Sequence, residues 1–282
     1  MRNLLFFIIS LLPGLAEAQS IVYTKADSIK VMQLLGNAPK KASANEYMIH
    51  FGKALQGVPY VGKTLENNTK EKLVVNLREL DCTTFTENVL ALSLCMRDGK
   101  KSFKAFTDYL RRIRYNKGYV SYPSRLHYFT SWIDANSKQD FVAEVVAAQA
   151  PFTATKTLNV NFMSQHCDLY PALVRDKAMV DSIRTAEKAL TGKSFPYIPK
   201  SALNQHSLLK KYIHTGDIIV IITNKEGLDT SHIGIASWHS DGTLHLLNAS
   251  QIHKKVIDEP MTLYRYMQKH PSQIGIRVVS PL

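Results

Sequence analysis

Two short stretches of this sequence hold residue types able to perform nucleophilic chemistry together. In Leu80-Asp81-Cys82-Thr83-Thr84-Phe85-Thr86-Glu87 a cysteine sits where a polar approach turns into an amphipathic helix. The first backbone N–H groups of a helix lack intrahelical partners and carry partial positive charge, a setting that stabilises a thiolate. Far along the chain, Asp229-Thr230-Ser231-His232-Ile233-Gly234-Ile235 places a histidine at the start of a short strand. Leu246-Leu247-Asn248-Ala249-Ser250 then places an amide at the end of the next strand. Two antiparallel strands joined through a turn at Asp241-Gly242 bring His232 and Asn248 close across the ladder. A histidine that takes a proton from a cysteine, with an amide fixing its tautomer, is the chemistry of thiol acyl transfer.

Each half is unremarkable alone. A single cysteine at a helix start is often structural, and ten histidines make one well-placed example unsurprising. His239, His245 and His253 read as surface or strand-pairing residues. The three cysteines, Cys82, Cys95 and Cys167, are an odd number, so at least one thiol stays free or pairs between chains. Cys82 and Cys95 share one expected helix, where thirteen residues separate them by roughly 20 Å, too far for a disulfide. Cys95 suits an inert apolar face; Cys82 does not. There is no Cys-x-x-Cys pair and no His-Glu-x-x-His run, and His166-Cys167-Asp168 offers too few ligands at the wrong spacing for zinc. Neither metal nor cofactor is expected.

The elements that must position these residues divide the chain. Helices are expected over Ser28 to Leu35 ending at Gly36, over Ser43 to Leu55 from a Ser43/Glu46 capping box, over Thr83 to Met96, over Ser102 to Ile113 and over Met179 to Leu190. Arg125 to Trp132 reads as a short aromatic helix, Leu73 to Leu77 as a strand or extended loop, and Phe195 to Lys200 as a proline-punctuated loop. The last third changes to strands at Ile218 to Ile222, His232 to Trp238, Thr243 to Leu247 and Gly275 to Val279. Helices first and a meander of strands later indicate an α+β chain rather than alternating βαβ units.

The 282 residues are 45% hydrophobic, with 35 Lys plus Arg against 23 Asp plus Glu, a formal charge of +12. That composition excludes a disordered polyelectrolyte, a small disulfide scaffold and a bundle of membrane helices. The positive surplus suits an anionic partner. Arg2, the apolar run Leu4 to Leu12, Pro13-Gly14 and Ala16-Glu17-Ala18 are the three parts of a secretory signal peptide. Residues 1–18 are therefore expected to be removed, leaving 19–282 as one catalytic domain with helical insertions and no membrane insertion. No cysteine follows the cleavage site, which argues against a lipoprotein.

In order and spacing, Pro59-Tyr60, Leu77 to Phe85, Arg125 to Trp132, Phe195 to Lys200, Gly216-Asp217-Ile218 and Ser231 to Ile235 resemble the NlpC-type, papain-like cysteine hydrolases of bacterial cell walls. The closer resemblance is to their exported N-acetylmuramoyl-L-alanine amidase-like branch, from about residue 45 to the C-terminus. The resemblance implies a papain-like core in which Cys82 is the nucleophile, His232 the base and Asn248 the orienting residue, with Tyr60 facing the thiol and helping the oxyanion. The wider clan usually has histidine where Asn248 stands, and papain-like enzymes also use asparagine in that role. The implied partner is peptidoglycan or its muramyl-peptide fragments rather than nucleic acid, and the implied compartment the periplasm of a Gram-negative cell. Arg125 forking onto a substrate carboxylate, and Tyr128 packing on sugar or peptide, are the further site residues under this reading. The alternative makes Tyr128, Phe129 and Trp132 core aromatics and Arg125 a surface cation. Two other functions compete: a peptidase of the same clan cutting the D-glutamyl–diamino acid bond, and a wall-binding module that has lost its chemistry.

Overall fold

The computed structural model describes residues 21–282, so the expected signal peptide lies outside the described residues. The helices of the N-terminal half are started by side chains that close their own first turns. Thr24 caps α1 (Lys25–Asn37) and Ser43 caps α2 (Ala44–Ala54), each in a reciprocal capping box with the third residue, Asp27 or Glu46. Such caps contribute about 1 kcal/mol each. α1 runs through Gly36, where the sequence suggested a stop, and ends because Pro39 forces Ala38 into extended backbone. β1 (Ile21–Val22) pairs in parallel with β2 (Leu73–Val74), which is all that forms of the expected extended segment.

α3 (Cys82–Arg97) follows, capped by Asp81 and Thr84, and α4 (Phe103–Arg114) is capped by Ser102. Every residue from Thr84 to Met96 is buried, so α3 is a central helix rather than the amphipathic one expected. Its one internal charge, Glu87, is met by Arg114 of α4 at 2.6 Å. α5 (Phe129–Ser137) begins later than expected, because Tyr115 bridges Arg125 and the Leu126 N–H bonds the Arg114 carbonyl, holding that stretch against the end of α4.

The remaining elements are β3 (Val142–Val145), β4 (Ala154–Thr157), α6 (Phe162–Gln165), α7 (Pro171–Arg175), α8 (Lys177–Leu190), β5 (Ser194–Pro199), α9 (His206–Leu209), β6 (Ile218–Thr223), β7 (Thr230–Trp238), β8 (Leu244–Ser250), β9 (Lys255–Asp258), α10 (Leu263–Gln268) and β10 (Gln273–Pro281). They build an eight-stranded antiparallel sheet in the order β4-β5-β10-β6-β7-β8-β9, with β3 also on β10. The expected loop at Phe195 to Lys200 is thus largely β5; two prolines hid it, since proline cannot donate to a ladder. The continuous apolar run of β6 is explained by burial on both faces. Ile218 and Val220 pack with Phe51, Phe85 and Val89 under α2 and α3, while Ile219 and Ile221 join Leu246 and Met267 on the other side.

Candidate active site

The site assembles where the first turn of α3 meets the beginning of β7. Cys82 is the first residue of α3. The Asp81 carboxylate accepts the Thr84 N–H and hydroxyl, both at 2.8 Å, which fixes the turn that presents the thiol. The Ile233 and Thr83 N–H groups and the Thr83 hydroxyl lie near the Cys82 sulfur and favour its charged form, so Cys82 sits against the residue that follows His232.

Ile233, Ile235, Leu247 and Ala249 pack under the helices. His232 and Asn248 alternate with them along β7 and β8 and so share the other side of the sheet. The β6–β7 register slips between Ile221 and Ile222, making Ser231 an extra residue, a bulge of the kind that re-aims a neighbouring side chain. The β7–β8 register continued from Ile235 and Leu247 sets Gly234 opposite Asn248. A Cβ on Gly234 would stand 2.9 Å from the Asn248 Cβ and 2.8 Å from Leu246 Cδ1, so only glycine lets the amide lie this close. Asn248 is fully buried; its Nδ2 donates to the Leu246 carbonyl at 3.0 Å. That leaves Oδ1 for the histidine, 2.9 Å from His232 Nε2. Nε2 must therefore carry the ring proton, and Nδ1 is left as the basic nitrogen.

The electrostatics differ from the simple helix-dipole expectation. Burial first, then the Asp81 charge, push the Cys82 thiol up to about 12, outweighing the hydrogen bonds that favour a thiolate. Burial, aided by nearby His270, holds His232 below its ordinary value despite the Asn248 bond. Both shifts favour the uncharged forms, a neutral thiol and a neutral imidazole.

Tyr60 is clamped beside this pair, its N–H on the Lys254 carbonyl at 2.9 Å and its backbone bridged in parallel to Leu80. Burial and then the neighbouring Cys82 and Asp81 push its hydroxyl up to about 12, so it remains a proton donor. Sequence reasoning missed Tyr266 of α10, whose ring centre is 6.4 Å from that of His232, and His270, whose ring lies tilted with its centre 4.5 Å from that of Tyr266. The six residues of α10 are too few for a periodic signal, so nothing in the sequence drew attention to them.

Two expected substrate contacts are engaged within the protein. Arg125 presents no free fork: Nη1 donates to Glu66 at 2.7 Å and Nη2 to Glu71 at 3.0 Å. The Tyr128 hydroxyl donates to Glu187 at 2.7 Å and accepts from the Met163 N–H at 3.1 Å, while its ring is buried. Arg125 ties the loop after Tyr60 to the helices, and Tyr128 is the core aromatic of the alternative reading. All three cysteines are free. Among the described residues no cluster of three His, Cys, Asp or Glu is placed to hold a metal ion, and no helix is long and apolar enough to cross a membrane.

Fold and site define a mixed α+β protein in which a cysteine opens a central helix and a histidine and an asparagine meet on two adjacent strands. The N-acetylmuramoyl-L-alanine amidase-like family matches residues 50–276, and the chain belongs to that family. It is similar to an N-acetylmuramoyl-L-alanine amidase from Bacteroides uniformis, at 38% identity and TM-score 0.80, covering 86% of this chain and 100% of that one. A Bacteroides fragilis protein provisionally called a xylanase is 39% identical, with TM-score 0.76 over 81% of this chain and 98% of its own. A Legionella pneumophila protein at 22% identity and TM-score 0.68, covering 91% of this chain and 95% of its own, shares the fold. No curated protein matches the chain in sequence.

Proposed function

We propose that this protein is an exported cysteine amidase that hydrolyses the amide between the lactyl group of N-acetylmuramic acid and L-alanine, in peptidoglycan or its turnover fragments. Family membership supports an amidase-like hydrolase role, and the Bacteroides uniformis neighbour carries the name of that activity. What supports the cysteine mechanism is Cys82 at the start of α3, next to Ile233, with the preceding residue His232 held at Nε2 by Asn248. A papain-like, NlpC-type core is the architecture that such an arrangement suits.

In this reaction the thiol proton passes to His232 Nδ1 as the sulfur adds to the amide carbonyl. The oxyanion is stabilised by backbone N–H groups at the helix start and by the Tyr60 hydroxyl. His232 returns the proton to the leaving L-alanine nitrogen as the C–N bond breaks, which leaves a thioester on Cys82. Water, deprotonated by His232, then releases the muramyl carboxylate and restores the thiol. The basic surface suits carboxylate-bearing wall fragments, and the leader-like N-terminus suits action in the periplasm.

Incubation with a muramyl tripeptide and mass spectrometry tests the assignment. A free peptide beginning with L-alanine is expected. A muramyl dipeptide product would instead make the protein a stem peptidase, and co-sedimentation with sacculi without any product would make it a binding module. Cys82→Ala is expected to abolish turnover with the fold intact, whereas Cys95→Ala, at a fully buried site, leaves turnover nearly unchanged. Equal loss in both would remove Cys82 as the nucleophile.

A further inference from the structure

Away from Cys82 the protein carries a second concavity, a cavity of about 760 Å³ bounded by the end of α4, the segment from Pro123 to Tyr128, α5 and α8. None of Cys82, His232, Asn248 and Tyr60 lines it. Its volume is that of a small-molecule site, typically about 300–1,000 Å³.

The lining is strongly one-signed. Arg111, Arg112, Lys117, Arg125, Lys138 and Lys193 contribute cations, and Asp134 the one carboxylate. Asp134 is matched by Lys193 at 2.7 Å, and Arg125 by Glu66 and Glu71. Among the described residues, Arg111, Arg112, Lys117 and Lys138 have no carboxylate within ion-pair range. Neutral groups hold the two arginines in place. Arg111 Nη1 donates to the Gly118 carbonyl at 2.6 Å; Arg112 Nε donates to Gln139 at 3.1 Å and its guanidinium lies 4.5 Å from the Phe141 ring centre. Both keep their full charge while losing mobility, which lowers the entropy cost of receiving an anion. Arg125, 8% exposed and paired with Glu66 and Glu71, forms a fixed part of the wall beside these free cations. The α8 wall, with Ile183, Ala186, Ala189 and Leu190, offers apolar surface for a carbon skeleton.

We propose that this cavity is an anion-binding site, separate from the reaction centre, for a small molecule or chain segment bearing two or more carboxylates or phosphates. It does not rest on the amidase reading, because it requires no chemistry at Cys82.

Isothermal titration of the mature protein at low ionic strength, with citrate as the carboxylate probe and tripolyphosphate as the phosphate probe, tests it. Saturable binding of at least one probe is expected, and the probe that binds more tightly identifies the anion. Lys117→Gln combined with Lys138→Gln is expected to weaken binding about tenfold, roughly 1.4 kcal/mol. Lys40→Gln combined with Lys53→Gln removes the same charge from exposed positions outside the cavity and is expected to leave the affinity within about twofold. Cys82→Ala is expected to bind as the unaltered protein does. Absence of binding by both probes, equal weakening in the two double variants, or loss of binding in Cys82→Ala would each overturn the proposal.

Discussion

His232 Nε2 and Asn248 Oδ1 meet at 2.9 Å between adjacent strands, and the other half of the Asn248 amide is spent on the Leu246 carbonyl at 3.0 Å. The amide therefore has one orientation available, and it dictates the histidine tautomer. The basic nitrogen of the ring is a consequence of strand register, not of anything in the histidine itself.

Replacing Asn248 by alanine leaves Nε2 without its acceptor and the ring free to rotate or change tautomer. A hydrogen bond to an ionisable group contributes about 1.5–3 kcal/mol, so kcat is expected to fall roughly ten- to hundredfold. KM is expected to change little, because Asn248 is buried behind the histidine. Steady-state kinetics on a muramyl peptide checks this; a large KM effect with unchanged kcat would assign Asn248 to substrate binding instead.

Gly234→Ala is expected to act on the same bond from the opposite strand. The added methyl would stand under 3.0 Å from both Asn248 Cβ and Leu246 Cδ1. Overpacking of this kind costs about 1–3 kcal/mol, readable as a lower urea midpoint. Activity measured well below that midpoint should also fall, since Asn248 must shift to make room. Unchanged activity would show that the site tolerates a displaced amide.

The pH profile follows from the shifts of His232 and Cys82. His232 is held below its ordinary value of 6.5, so the acid limb of kcat/KM is expected below that of an exposed histidine. Cys82 stays protonated to about 12, so the thiol adds no limb near neutrality, and alkylation by iodoacetamide should rise about tenfold per pH unit there. Stability has the matching sign. His127, half-buried beside Arg125, is pushed down to about 3, by desolvation first and then by the Arg125 charge. The unfolded chain takes up that proton first, so stability falls as pH drops from about 6.5 towards 3. His127→Gln should flatten that decline in denaturation midpoints, and an unchanged decline would place its origin in the carboxylates.

Inside the helical layer, the Glu87–Arg114 pair is enclosed on all sides, and Arg114 Nη1 also donates to the Val74 carbonyl at 2.7 Å. Glu87→Ala leaves that guanidinium uncompensated and is expected to cost about 3–5 kcal/mol. Glu87→Leu combined with Arg114→Met should cost markedly less, since both charges leave together. Urea melts of the two variants compare them directly, and equal destabilisation would make the pair's contribution one of shape rather than charge.

Much of the frame was legible from local chemistry. Ser43 with Glu46 marked the start of α2, the apolar run Ile218 to Ile222 lies within β6, and Gly242 made the β7–β8 turn readable. What stayed hidden lacked a local signal. β5 carries two prolines, β9 and α10 are only a few residues long, and Arg125 reads as an exposed cation until Glu66 and Glu71 are folded around it. The charge state of Cys82 was equally invisible, because burial and the Asp81 carboxylate act against the helix start that the sequence displays.

By itself the sequence determined the residue types of the site, their order and the elements that carry them, since capping and periodicity act over a few residues. Only the tertiary structure decided which nitrogen of His232 is basic, that burial and Asp81 push the Cys82 thiol up, and that Arg125 and Tyr128 turn inward. Those properties depend on desolvation and on partners distant in the chain, and no local pattern encodes either.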